Sequence, residues 1–462
     1  MSAYRAATQA FHPHQQGCRP SLRGRHLTVS LAKASPTEAA TCGERKPPRR
    51  QNLADWVTGT LRSNQANGKV ATDRAVMKPA RSEKDFQAQS YPWWWVLPLQ
   101  PYGIRKTVRE EVVTERVWSF EQPHGAINIV INIRMTVVRL QAGGLWVHAP
   151  IAPTKECIEL LRELEERYGE VKFIVHPTYA LEHKVHLGPF SRACPSAEIW
   201  VAPGQWSYPL NLPISLLGVF PRKVQIIGEH TAPWSDEFDS AILSLPLKGV
   251  GSFVEVSFHH KDTCTLLLTD LLICPTKDPP GVCRDDPSPL LLMQRDNPTS
   301  ELRLDYGGEQ AGWKKTVLLA LYLRPDAVRV DSDGGFAWQQ DWSQAFDAIC
   351  DRVVVPPILR KLVLNQFPTE VKEWVAQVSS WNFTHVLPAH LSGRVELSSS
   401  QFQELFEVLM ADPNDEEPIV DGGSDMLPWM GEDQCSLLNQ IEDFLVTNGI
   451  AAVGSNTSSK GG

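Results

Sequence analysis

The sequence predicts a mixed α/β (α+β) protein with two sheets. Between residues 112 and 149, several stretches with the alternation of strands precede a helix pattern and a further apolar strand. After residue 223, short apolar stretches separated by tight turns follow one another, which favours a second, more antiparallel sheet. These stretches are VQIIGEH, AILSLPL, FVEVSFHH and TCTLLLTDLLIC.

The first predicted helix has both a start and a stop signal. It follows a hairpin whose turn is predicted at Gly143–Gly144, because glycines adopt the positive φ angles of tight turns. Thr154 is a typical N-cap residue, and Gly169 is a typical residue just beyond a helix C-terminus. Between them the apolar residues recur with the helical period, so the sequence predicts one helix here.

An apolar strand, residues 171–175, comes next and is predicted to end in a loop with ionisable side chains. That loop carries His176, Glu182, His183 and His186. A strand that delivers such side chains at its C-terminal end is a common way to build a site on a rigid edge.

The second half of the chain is predicted to be mostly helical. Residues 275–310 are rich in Pro and Asp and are interpreted as an insertion loop. Helix patterns follow it, and a last short strand, FTHVLPAHL, precedes a closing helix, SSSQFQELFEVLMA.

Composition divides the chain into four parts. Residues 1–40 are predicted as an organellar transit peptide, 41–90 as a disordered linker, 91–411 as the folded domain, and 412–462 as an acidic tail with a short amphipathic helix. The first 37 residues contain no Asp or Glu and include Arg, Ser, Thr and Ala, as transit peptides do. A disordered basic tail is the alternative for this segment.

The totals argue against several classes of protein. The formal net charge of −8 leaves no domain-wide basic surface, which argues against nucleic acid as the main partner. The nine cysteines include no CxxC pair, so neither a secreted disulfide scaffold nor a cysteine-built zinc knuckle is expected. No apolar run approaches the roughly 20 residues of a transmembrane helix, and a soluble body is expected.

A tryptophan-rich stretch opens the predicted domain. Trp93–Trp95 lie in YPWWWVLPLQPYG and are interpreted as an arm that buries its rings across a core. An exposed binding patch is the alternative.

Polar groups follow three apolar strands and make a candidate metal site. Glu182 and His183 follow FIV, Asp270 follows TLLL, and His390 follows HVLP. If the strand ends meet at one edge, the two carboxylates and two imidazoles suit Zn, Mn or Fe. Core histidines, a turn aspartate and a surface glutamate are the simpler interpretations of the same residues.

The order of these features resembles the metallo-β-lactamase-like hydrolases, an αββα sandwich fold. It is similar, more closely, to an uncharacterised plant, algal and cyanobacterial family, a domain of unknown function related to that superfamily. The words that carry the closer resemblance are RMTVVRLQAGGLWVHAP, ALEHKVHLGPF, QWSYPLNLP, TLLLTD and LPAH.

The resemblance implies a degenerate metal site. The superfamily loop reads HxHxDH, and here Thr178 and Ala180 stand at its first two His positions, with Glu182 at its Asp. Asp270 matches the bridging carboxylate and His390 the last ligand. One divalent ion (Zn, Fe or Mn) held by Glu182, His183, Asp270 and His390 is therefore expected; His148 replaces an early aspartate, and His176 and His186 are spare candidates.

Two functions remain open on this reading. The first is a metallo-hydrolase-like protein of the chloroplast stroma. In it, metal-bound water would hydrolyse an unknown small-molecule substrate. The second is a non-catalytic pseudoenzyme that binds a protein partner or assists assembly. An iron-dependent oxidoreductase is a weaker third, and no catalytic residue beyond the ligands is assigned. No GxGxxG or GxxxxGK[ST] fingerprint is present.

Overall fold

The structure is a computed structural model of the 462-residue chain. It describes residues 82–91, 99–100, 103–126, 129–205, 224–247, 251–330, 336–409 and 432–447. The predicted transit peptide, the Trp93–Trp95 arm and most of the acidic tail lie outside the described residues, and the predictions on them stay predictions.

Most of the strands belong to two sheets. The strands are β1 (Leu99–Gln100), β2 (Val108–Val113), β3 (Val117–Ala126), β4 (Ile129–Arg139), β5 (Leu145–His148), β6 (Val171–His176), β7 (Glu198–Val201), β8 (Val224–Ile226), β9 (Phe238–Leu247), β10 (Gly251–His260), β11 (Thr265–Leu267), β12 (Val328–Val330), β13 (Phe336–Trp338), β14 (His385–Leu387) and β15 (Val395–Glu396).

Helices flank the two sheets. They are α1 (Glu83–Gln89), α2 (Lys155–Tyr168), α3 (Leu181–Ala193), α4 (Gly281–Arg284), α5 (Ser288–Met293), α6 (Tyr306–Tyr322), α7 (Trp342–Asp347), α8 (Pro357–Leu362), α9 (Pro368–Ser379), α10 (Ser399–Leu409) and α11 (Ser436–Thr447). Short 3₁₀ helices cover Lys261–Thr263, Leu364–Gln366 and Glu432–Gln434. None of the described helices is long and apolar enough to cross a membrane.

The first sheet has the order β1-β3-β4-β5-β6-β7-β8, with β2 also paired to β3. Its pairs are antiparallel up to β4–β5 and parallel from β5–β6 onward. The parallel part requires crossovers, and α2 and α3 supply two of them.

The second sheet has the order β15-β14-β11-β10-β9. It is antiparallel except for the pair β11–β14, and a separate two-stranded sheet joins β12 to β13. The prediction of a second, more antiparallel sheet is confirmed, with one correction: the VQIIGEH strand, β8, pairs with β7 in the first sheet.

The two sheets pack face to face between layers of helices. Trp146 and Val175 of the first sheet meet Phe258 and Leu267 of the second in a central core. The next residues along the strands, such as Val147 and Leu266, turn to the opposite faces, as the two-residue period of a strand requires. There α2 and α3 cover the first sheet, and α6, α9, α10 and α11 cover the second. The predicted αββα sandwich is confirmed.

The local signals of the first helix work as predicted. The hydroxyl of Thr154 accepts a hydrogen bond from the backbone N–H of Cys157, and Gly169 ends the helix with φ of 98°. Gly143 and Gly144 have φ of 75° and 85° in the β4–β5 turn. These positive φ values are those that glycine adopts without steric cost.

Four local predictions need correction. Glu182, His183 and His186 lie in the helix α3 and not in a loop. The supposed insertion loop contains the helices α4 and α5, whose apolar side chains pack in the core between the second sheet and its helices. The strand β15 follows the one predicted to be last. The end of the supposed linker forms the helix α1, which Ser82 caps through the backbone N–H of Asp85.

The amphipathic helix predicted in the tail is present as α11, and it belongs to the main core. Its residues Leu438, Ile441 and Leu445 are buried against the second sheet's helix layer. Asn365 donates a hydrogen bond to Glu442, which fixes the helix from its polar side.

Candidate metal centre

Three of the four predicted ligands converge. The Nε2 atom of His390 lies 3.2 Å from Oδ1 of Asp270, and Nε2 of His183 lies 4.0 Å from the same oxygen. The possible ligand atoms of the three residues all lie within 4.8 Å of one another. The site therefore sits at the edge of the sandwich where α3 meets the second sheet.

Parallel pairing explains why Asp270 and His390 meet. β11 and β14 are aligned side by side, Leu267 opposite Leu387, and each chain then continues for three residues to its polar side chain. The carboxyl ends of two parallel neighbours lie at the same edge of a sheet, so both side chains emerge together. This convergence was the condition on which the predicted site depended.

His183 comes from the other sheet. The segment between β6 and α3 is attached to β10 by hydrogen bonds from the backbone N–H of Val256 to Pro177 and from that of Tyr179 to Val254. These bonds fix the point at which α3 begins, and His183 lies in its first turn with none of its surface exposed.

β4 positions the loop that carries His390. The Nδ1–H of His390 donates to the backbone carbonyl of Asn132 at 2.9 Å, and the Asn132 side chain pairs with both backbone groups of Leu391. The buried guanidinium of Arg134 donates to the carbonyls of Pro388, Leu391 and Ser392. With Nδ1 engaged, Nε2 of His390 is the nitrogen that faces Asp270.

Glu255 on β10 positions Asp270. Its two carboxylate oxygens accept the backbone N–H groups of Thr269 at 2.7 Å and of Asp270 at 3.1 Å. Burial and the nearby charge of Asp270 raise the pKa of Glu255 to about 8. Sequence reasoning missed this residue, because a single glutamate in a strand whose polar and apolar residues alternate carries no local mark of a tertiary contact.

The pKa values of the three side chains are shifted in different directions. Burial lowers the pKa of His183 to about 4, so its ring is neutral at neutral pH. Burial works against the charged forms of Asp270 and His390, but the hydrogen bond between them and the attraction of nearby opposite charges together outweigh it, lowering the pKa of Asp270 and raising that of His390. Both shifts favour an ion pair between Asp270 and His390.

The donor set suits a divalent cation. Among the described residues, neither ring nitrogen of the fully buried His183 has a hydrogen-bond partner, a costly arrangement that a metal bond would relieve. Two ligand atoms on one ion cannot lie farther apart than about 4.4 Å, twice the usual bond length, and the two distances to Asp270 are shorter than that. Two imidazoles and a carboxylate suit Zn, Fe or Mn.

The fourth predicted ligand, Glu182, lies beside the group without belonging to it. It lines the same cavity as Asp270 and His390, but its carboxylate is not among the three groups that come together. Thr178 forms a backbone bridge with Glu255, and Ala180 precedes α3 as its N-cap residue. Both residues also line the cavity described below.

The other histidines singled out in the sequence are buried elsewhere. His176 and His186 have no hydrogen-bond partner for their ring nitrogens in the described part of the chain, and both pKa values are lowered well below the ordinary value by burial. His148 ends β5 and stacks on Trp146. His259 pairs with Asp239 at 3.2 Å, away from the three converging residues.

A cavity of about 240 Å³ opens onto two of the three residues, Asp270 and His390. Asp270, His390 and Glu182 lie at one part of its wall, and most of the rest is apolar. His124, on β3, also lines it, and sequence reasoning missed this residue. The only signal in the sequence was a histidine next to a glycine, in a stretch that was not recognised as part of a strand.

Contacts of His124 determine where its proton lies. The Arg105 guanidinium reaches Nδ1 of His124 at 3.4 Å. Because arginine can only donate, Nδ1 accepts and the proton is on Nε2. Burial and the charge of Arg105 hold the pKa of His124 well below its ordinary value, so the ring is a neutral donor.

Comparison with known proteins gives weak structural likenesses and one family. No curated protein matches the sequence. The diflavin flavoprotein A 5 from Nostoc sp. PCC 7120 is similar over 66% of this chain and 96% of its own, with 9% identity and a TM-score of 0.35. The flavodiiron core of Flv1 from Synechocystis sp. PCC6803 covers 66% and 61%, with 9% identity and a TM-score of 0.37.

A metallo-β-lactamase from Pontibacter korlensis is similar over 66% of this chain and all of its own, with 10% identity and a TM-score of 0.32. Because these TM-scores are low, the fold is described from the layering of sheets and helices in the structure itself. The sequence profile of one family matches residues 114–408, which is more than half of the chain. The chain therefore belongs to the family described as a domain of unknown function, DUF4336.

Proposed function

We propose that this protein is a metal-dependent hydrolase that binds one divalent ion through His183, Asp270 and His390. The observation that carries the proposal is His183: a neutral, fully buried imidazole beside a carboxylate and a second imidazole, with no hydrogen-bond partner among the described residues. Glu182 would act as a further ligand or as a polar contact for the substrate.

The residues of the chain have separate roles in this proposal. Glu255 and Asn132 hold Asp270 and His390 in register. When bound, the ion would supply the Lewis acid of the site and lower the pKa of a coordinated water molecule. His124 offers an N–H that can donate to a substrate oxygen.

The acid-free N-terminal segment supports a chloroplast location as part of the same proposal. The assignment of residues 91–411 to one domain followed by a tail is likewise proposed, although α11 packs on the main core.

Metal analysis of the purified full-length protein tests the metal site. We expect about one Zn, Fe or Mn per chain by elemental mass spectrometry. His183→Ala and His390→Ala should each lose it, because each removes one of three ligands, whereas the exposed His230→Ala should retain it. Circular dichroism of each variant shows whether it is folded.

The competing function is a non-catalytic binding protein, and the loss of two histidines at Thr178 and Ala180 favours it. It makes the opposite prediction for the same samples. Metal-free wild-type protein, with the same thermal stability in both histidine variants, would exclude the hydrolase and leave the binding protein.

A further inference from the structure

The cavity beside the metal centre has walls of two kinds. Three layers of the fold contribute apolar side chains to it: β4, β10 and the helices α6 and α8. The side chains that define this apolar part are Ile129, Ile131, Phe253, Val317, Leu321 and Leu359. An apolar surface of this kind, facing an open cavity, favours a ligand with an apolar body.

The opposite part of the wall is polar and is built for one small group. Asp270 and His390 lie there, held by Glu255 and Asn132, and His124, whose proton is on Nε2, also lines the cavity. A neutral oxygen acceptor, such as a carbonyl, matches the donor on His124.

We propose that the ligand is an acyl compound of moderate chain length, its hydrocarbon chain in the apolar part of the cavity and its carbonyl oxygen beside His124. This inference rests on the proposed function for its reaction: in ester hydrolysis, the oxygen of one water molecule bonds to the acyl carbon, the bond to the alcohol oxygen breaks, and the alcohol takes a proton. A volume near 240 Å³ is slightly below the range of about 300–1,000 Å³ of drug-sized ligand sites, which limits the chain length.

A series of neutral amides tests the apolar part. Butanamide, hexanamide and octanamide share one carbonyl head and are titrated by calorimetry into the full-length protein. Each buried methylene should lower the dissociation constant about fourfold, or roughly fifteenfold for each step of two carbons. Equal affinity for all three amides would overturn the proposal.

Two variants on one helix separate cavity filling from unfolding. Ala320 on α6 lines the cavity, so Ala320→Phe should weaken octanamide binding at least tenfold and butanamide binding less. Ala311 lies on the same helix outside the lining, and Ala311→Phe should bind all three amides like the wild type. Thermal melts identify any variant that is unfolded.

The polar end is tested by His124→Leu, which removes the donor. It should weaken all three amides by a similar factor, about fivefold, while the dependence on chain length stays the same. A change that depends on chain length would show that His124 contacts the chain, and no change would show that it does not bind the head group. Either result contradicts the assigned orientation.

The same series distinguishes failure of this inference from failure of the proposed function. His183 does not line the cavity, so His183→Ala should lose the metal and keep the dependence on chain length. If the wild type contains no metal but still prefers octanamide, the acyl site is supported and the hydrolase is contradicted. If the protein contains metal but shows no preference for chain length, the metal site is supported and the acyl ligand is contradicted.

Discussion

Asp270 is held mainly through its backbone and that of its neighbour. Glu255 accepts the N–H groups of both Thr269 and Asp270, and it is fully buried on β10. A buried acceptor that pairs two backbone donors is costly to remove, because each unpaired donor loses a hydrogen bond that water cannot replace. The geometry of the metal centre therefore depends on a residue outside it.

We expect Glu255→Gln to destabilise the protein by about 1–3 kcal/mol, because the amide nitrogen of glutamine cannot accept the second N–H. The free energy of unfolding is measured by urea denaturation. Glu110→Gln, on the exposed surface of β2, is the matched control and should change stability by no more than about 0.5 kcal/mol. Equal stability of the two variants would show that Glu255 does not hold the segment.

The candidate site was predictable in part from single residues. Asp270 and His390 were found because each follows an apolar strand directly, and His183 because it follows FIV with an acidic neighbour. Glu255 and His124 were not found, since the contacts that give them their roles join residues that are distant in the sequence. The ring nitrogens of His183 become informative only when their lack of partners is seen.

The helix α11 was recognised from the sequence, but its position in the fold was not. Its amphipathic pattern predicted a helix, and the acidic segment before it suggested an appendage. Its apolar face instead completes the core against α8, and the backbone N–H of Ser436 donates to Asp326. A hydrophobic stripe predicts that a helix will be buried, but not which surface will bury it.

Leu438→Ala in α11 should destabilise the protein by about 2–5 kcal/mol, because Leu438 is fully buried and its removal leaves a cavity. Asp443→Ala, on the exposed face of the same helix, should leave stability within about 0.5 kcal/mol of the wild type. Urea denaturation of the full chain measures both. A small effect of Leu438→Ala would mean that the helix is an appendage after all.

Buried neutral histidines are a property of the whole molecule. Nine of the ten histidines in the described part of the chain are buried, and among these nine His390 alone has a raised pKa. Burial lowers the pKa of His260 and of His385 to about 4, both outside the metal centre. On unfolding, such residues regain an ordinary pKa of 6.5 and take up protons at acidic pH.

Stability should therefore be highest above pH 6.5 and fall as the pH is lowered from 6.5 toward 4. In that window the unfolded chain binds more protons than the folded one, so acid favours unfolding by up to about 1.4 kcal/mol per pH unit for each such histidine. Urea denaturation at pH 7.5, 6 and 5 measures the slope.

The variant His385→Gln should reduce that slope by the contribution of one histidine, because glutamine does not titrate and can still hydrogen-bond Thr265. An unchanged slope would show that His385 does not contribute to the acid sensitivity.

Local sequence was sufficient for the type of most elements, and the family resemblance supplied the αββα class. The cap at Thr154, the glycines of the hairpin and the strand and helix periods act within a few residues of one another. The pairing of β11 with β14 joins residues 120 positions apart, and the placement of α3 depends on a backbone bridge from Thr178 to Glu255 on β10, in the opposite sheet. Only tertiary packing could bring together His183, Asp270 and His390 and form the apolar cavity, because burial and long-range contact leave no periodic mark in the chain.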